Sequence, residues 1–189
     1  MGHVLDAKIG LGFAWYNLGG FEIIPMVGYN YSAQKLTLRE QASYHLGVPV
    51  SLAGLDSEYR ARWMGPWFGL DLLMKESRTW DIALGFEYHF PDYYAKANWN
   101  LRSDLAHPKS FKHFNNGLAG QGMLGRLDLR YRLSQAWSAT FMTQLQKWST
   151  DGTDRTYLAN GTTTDTALND VNWQSWTMQF GAVSYTHLR

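Results

Sequence analysis

The chain has 189 residues, of which 45% are hydrophobic, 15% aromatic and only 17% charged, with eighteen glycines and a formal net charge of +1. That near-neutrality gives no general case for nucleic acid or an acidic partner, and the absence of cysteine excludes disulfides and thiolate metal sites. No stretch approaches the roughly 18 to 20 consecutive apolar residues of a membrane-spanning helix, and the start lacks the charged-then-apolar order of a secretory signal.

A period of two runs through the chain instead. In VLDAKIGLGFAWY, Leu5, Ala7, Ile9, Leu11, Phe13 and Trp15 share one face, and Asp6, Lys8, Gly10 and Gly12 share the other. FEIIPMVGYNYS places Phe21, Ile23, Val27, Tyr29 and Tyr31 together and continues less regularly through KLTLREQASY. YRARWMGPWFGLDLLM is harder to divide, although Arg60 and Arg62 alternate with Tyr59, Ala61 and Trp63. TWDIALGFEYHF sets Trp80, Ile82, Leu84, Phe86, Tyr88 and Phe90 against Asp81, Ala83, Gly85, Glu87 and His89. GRLDLRYRL sets Leu127, Leu129, Tyr131 and Leu133 against Arg126, Asp128, Arg130 and Arg132. WSATFMTQLQKW and WQSWTMQFGAVSY complete about seven strands of roughly 10 to 16 residues, long beside the usual 5 to 6 of a globular strand, and no helix is predicted.

Tight turns at YNLGG, KESRT and RLSQ alternate with long polar or glycine-rich stretches at about 45–57, 91–121 and 149–170. Short turns at one end, long loops at the other, an apolar outer face and a polar inner one describe an antiparallel transmembrane β-barrel of the outer-membrane kind. Only closure pairs every backbone group in lipid. Trp15, Tyr16, Trp80 and Trp137 sit beside the tight turns, where an interfacial girdle belongs. The competing fold is a soluble sandwich or lipocalin-like barrel, in which the apolar face turns inward. In the membrane reading, Arg126, Asp128, Arg130 and Arg132 form an interior ladder with groups such as Glu87 and Asp81, filling a narrow barrel rather than lining a channel.

Barrels of this class have an even strand number. Seven strands, with Met1 three residues before the first of them, are therefore read as part of an outer-membrane barrel of ten. Residues 1–189 then form one barrel unit whose N-terminal strands are missing.

FEIIPMVGYNYS, YRARWMGPWFGLDL, FEYHF before a polar loop holding Asp104 and His107, RYRLSQAWSATF and the closing GAVSY together resemble the C-terminal portion of the omptins, ten-stranded outer-membrane endopeptidases. The resemblance runs from Leu5 to Tyr185, about two thirds of a family member. It implies a Gram-negative outer-membrane location, no cofactor or metal, a polypeptide substrate, and water activated by Asp104 and His107. The aspartates that would face this pair fall upstream of Met1. It also implies contact with outer-membrane lipid, including lipopolysaccharide, through Tyr29 and Arg62. The alternative is a catalytically inactive barrel serving as adhesin or structural protein.

The chain departs from the family pattern at several points. DLAH separates the acid and base by three residues rather than two, Arg102 stands where the family has an acidic residue, and Ala33 stands where it has an arginine. Asp104 also suits a turn cap, and His113 is a second candidate base. TDGTDRTYLANGTTTDTALND lacks the spacing of a calcium loop and reads as a solvated loop. No phosphate-binding glycine loop, zinc site or serine elbow is present. Thr186 to Arg189 look foreign to the closing strand.

Overall fold

The computed structural model describes residues 2–39, 43–45, 48–50, 52–75 and 79–184, and every regular element among them is a strand. These are β1 (Gly2–Gly12), β2 (Tyr16–Leu18), β3 (Phe21–Arg39), β4 (Ser43–His45), β5 (Val48–Val50), β6 (Asp56–Met74), β7 (Trp80–His89), β8 (Asp92–Asn98), β9 (Phe111–Phe114), β10 (Gln121–Arg132), β11 (Trp137–Tyr157) and β12 (Thr163–Ser184). All pairings are antiparallel. β7 and β8 both pair with β6 and make one long strand broken at Phe90 and Pro91, where proline cannot donate to the ladder. β9 and β10 likewise lie along β11, and β1 and β2 along β3. Apart from the small β4–β5 hairpin, the result is an up-and-down meander of seven long strands, as the alternation predicts. Among the described residues, β1 and β12 each have a neighbour on one side only.

Of the predicted long loops, 149–170 is mostly strand and 91–121 holds two short strands. β8 and β9 occupy Asp92–Asn98 and Phe111–Phe114, while β11 runs to Tyr157 and β12 begins at Thr163, leaving only a short turn between them. The threonine-rich hairpin pairs without apolar alternation because both its faces are polar. Thr has high β propensity, and Arg155 binds Asp165 directly across the pair at 2.6 Å. The KESRT turn lies partly, and residues 185–189 wholly, outside the described residues.

Sidedness over the short-turn half follows the sequence. Ile9, Leu11, Val27, Phe68, Leu84, Phe86, Leu145, Trp176 and Phe180 are exposed on the outer face. Trp15, Tyr16, Trp80 and Trp137 are exposed near the tight turns, and Trp80 packs against Tyr131 at 4.6 Å. The ladder forms with a change of partners. Arg132 and Arg130 meet Asp81 at 2.6 and 3.8 Å, but Arg126 takes Asp71 at 3.1 Å and Asp128 at 2.8 Å. Glu87, the other predicted partner, binds Lys8 at 2.5 Å and His89 at 3.0 Å. Lys8 lies on β1 and Glu87 on β7, with β3 and β6 between them in the sheet, so this contact requires the sheet to curl around its polar face.

Above this level one inner register row reads Gly10, Gly28, Trp67, His89, Gly122, Trp148 and Trp173 from β1 to β12. The glycines make room for the indoles. A Cβ at Gly28 or Gly10 would come within 2.6 Å of Trp67, and one at Gly122 within 2.7 Å of Trp148. His89 packs between the two tryptophans, 5.8 and 4.7 Å from their rings.

Toward the loop end the sides exchange character. Trp63, Tyr93, Ala61, Ala95 and Trp148 form a buried inner cluster, while Arg60 and Arg62 turn outward. Beyond the lipid the strands behave as a water-soluble barrel with an apolar inside, which is why YRARWMGPWFG resists division by sequence.

Candidate functional site at the loop end

The connection from β8 to β9 holds both predicted catalytic residues. Arg102 donates from Nε to Asp104 Oδ1 at 2.8 Å and from Nη2 to Oδ2 at 2.6 Å, a bidentate pair on an exposed turn. The guanidinium holds the Asp104 carboxyl below its ordinary value of 3.8. His107 is bound elsewhere, through Nδ1 to Asn98 Oδ1 at 2.8 Å and through Nε2 to the Arg102 carbonyl at 3.1 Å. Leu105, buried between them, bridges to Leu158 and fixes the loop to the β11–β12 turn. No hydrogen bond or ion pair joins Asp104 to His107 among the described residues. In this arrangement the Asp104 carboxylate is taken by Arg102.

A different acid–imidazole pair does form. His113 Nε2 lies 3.3 Å from Asp154 Oδ1 inside the loop end, beside Tyr59, whose hydroxyl meets that of Tyr93 at 2.7 Å. His113 is the second base named from sequence. Asp154 escapes sequence reading because it lies in a polar hairpin with several aspartates and only the register identifies it.

On the outer face one register row reads His3, Lys35, Arg60, Lys96, Lys112, Arg155 and Asp165 across β1, β3, β6, β8, β9, β11 and β12. Like charges directly opposite one another repel. Glu58 relieves one end by binding Lys35 at 2.6 Å and Arg60, and Asp165 relieves the other by binding Arg155. Among the described residues no ion pair forms at the centre: Lys112 lies over Phe114 at 4.2 Å and Tyr94 at 5.3 Å, and Arg62 over Tyr94 at 4.8 Å. Tyr31, Lys35, Arg60, Arg62, Tyr94 and Lys96 border a groove of about 460 Å³. Ala33 faces Arg62 across the β3–β6 pair within it. Tyr29 faces outward farther down β3 and does not line this groove. The row is invisible in the sequence because each strand contributes only one of its members.

An all-antiparallel meander with an apolar outer belt, aromatic residues at the short turns and a charged interior is the architecture of an outer-membrane β-barrel protein. Residues 1–186 match the family model of the Protochlamydia outer membrane protein, and the chain belongs to that family. Among solved structures it is similar to the outer membrane protease OmpT from Escherichia coli, with a TM-score of 0.73 and 12% identity, over 96% of this chain and 64% of that chain. At that identity the likeness is one of fold, and the chain spans a little under two thirds of OmpT's length. No curated protein matches it in sequence. The protein is an omptin-like barrel of the outer membrane.

Proposed function

We propose that the protein is a non-proteolytic outer-membrane barrel with a structural or adhesive role, whose outer cations hold acidic groups of the surrounding lipid. The observation that carries this is the bidentate Arg102–Asp104 pair, which occupies the carboxylate that a catalytic His107 would need. Cleavage of a mixed peptide library by the complete protein and by His107→Ala tests it. Equal background in both is expected, whereas turnover that disappears with His107→Ala would overturn it.

The fold shared with a protease, and an Asp and His on one loop, favour a second reading as an omptin-like endopeptidase acting on polypeptide. It requires Arg102 to release Asp104, so Arg102→Gln would raise activity under this reading.

For lipid, Arg62, Lys96 and Lys112, which form no ion pair among the described residues, supply the cations that a phosphorylated lipid such as lipopolysaccharide would need, with Tyr94 and Phe114 as apolar neighbours. Tyr29 belongs to the same outer face and would meet the lipid below the head groups. Lys96→Gln with Lys112→Gln would weaken binding of lipopolysaccharide in detergent several-fold, an effect that salt would mimic.

A further inference from the structure

Farther down the outer face, one register row reads Leu70, Phe86, Gly125, Leu145 and Trp176 on β6, β7, β10, β11 and β12. Gly125 interrupts a row of large apolar side chains, and a Cβ built on it would meet nothing within 4 Å. The result is a groove of about 610 Å³ walled by Phe86, Met123, Leu145 and Trp176. These walls are 49 to 63% exposed, so protein does not cover them. Trp176 is fixed in place because its Nε1 donates to Thr143 Oγ1 at 2.9 Å.

The loop-ward end of the groove is closed by Lys147 and Gln174, which pair across β11 and β12 one outward position above Leu145 and Trp176. Lys147 makes no hydrogen bond, ion pair or cation–π contact among the described residues. Its depth is significant. A tilted strand crosses the hydrocarbon in about 9 to 11 residues, so the outward run on β11 from Trp137 through Phe141 and Leu145 brings the chain to the opposite interface where Lys147 stands. From that boundary the ammonium can extend into the head-group layer, where an anionic group attracts it. A groove one side chain deep in an apolar surface forfeits dispersion contacts unless something slender fills it.

We infer that the groove at Gly125 seats one acyl chain of an acidic, phosphate-bearing lipid, with the phosphate held by Lys147 and the Gln174 amide; phosphatidylglycerol is the probe for it. The groove supplies the fit to a methylene chain, and the unpaired cation selects an acidic head group over a zwitterionic one. This inference rests on the outward orientation of the apolar face and is independent of whether the protein cleaves peptides.

The test uses the complete protein in phosphatidylcholine vesicles, with brominated phosphatidylglycerol or brominated phosphatidylcholine added as quencher. The signal of Trp176 is taken as the difference between the native protein and Trp176→Phe. Half-quenching is expected at a several-fold lower fraction of the acidic lipid than of the zwitterionic one. Lys147→Gln should abolish that preference and Lys147→Arg should retain it. Gly125→Leu, which adds a side chain into open space, should reduce quenching by both lipids. Equal quenching by the two lipids in the native protein, or a preference unchanged by Lys147→Gln, would overturn the assignment. So would unchanged quenching in a Gly125→Leu protein that still shows the heat-shifted mobility of a folded barrel.

Discussion

Arg126 and Asp71 meet at 3.1 Å across a strand to which neither belongs. Arg126 lies on β10 and Asp71 on β6, and the residue between them in the same register row is Gly85 of β7. A Cβ at Gly85 would come within 2.8 Å of Asp71 Oδ1 and 3.4 Å of Arg126 Nη2. The glycine therefore permits an ion pair to span two strand spacings.

Gly85→Leu should break this bridge and lower stability to unfolding in urea by about 1 to 2 kcal/mol, since both partners are partly exposed and lose only one of their contacts. In that background Asp71→Asn should cost almost nothing further. An undiminished effect of Asp71→Asn would show that the bridge does not pass over Gly85.

Trp67 and Gly10 give a second coupled pair. Gly10→Ala would place a Cβ 2.6 Å from the indole, an overpacking that costs about 1 to 3 kcal/mol. With Trp67→Leu the same substitution should become nearly neutral. A double-mutant cycle measures the coupling directly, and strict additivity would contradict the seating of the indole on that glycine.

These relationships show what the sequence could disclose. Ile9, Leu11 and Phe13, or Leu84 and Phe86, announce their strands because lipid requires one face to be apolar throughout. Trp63 and Arg62 lie beyond that constraint, so apolar and charged residues exchange sides and alternation no longer identifies the outer face. Thr153 to Tyr157 and Thr163 to Thr166 form strands with polar residues on both faces and show no apolar alternation, which is why they read as a loop. The charged ladder was legible as a set of residues, but its partners depended on Gly85 and on the curl that brings Lys8 to Glu87. Asp104 and His107 were legible as neighbours on one loop. Arg102 stands out in the sequence only as a departure from a family pattern, and its bond to Asp104 depends on the turn geometry.

The Arg102–Asp104 pair has a defined pH signature. Its guanidinium lowers the folded-state pKa of Asp104 below 3.8, so the contribution of the pair is complete above that value and is lost as pH falls through the lowered one. The Asp104 carboxyl resonance should therefore titrate with a midpoint below 3.8 in the native protein and close to 3.8 in Arg102→Gln. Identical midpoints in the two proteins would show that the pair does not persist in solution.

The central claim is that apolar side chains on the lower strands face lipid while the charged set faces a shared interior, and nitroxide labels placed singly on both faces of adjacent strands test it most directly. In vesicles, labels at Leu84, Leu127 and Leu145 should relax strongly with oxygen and weakly with a water-soluble nickel chelate. Labels at Ala83, Asp128 and Gln144 should show the reverse order. The same response on both faces, or the opposite one, would contradict the assignment of this chain to the outer membrane as a barrel.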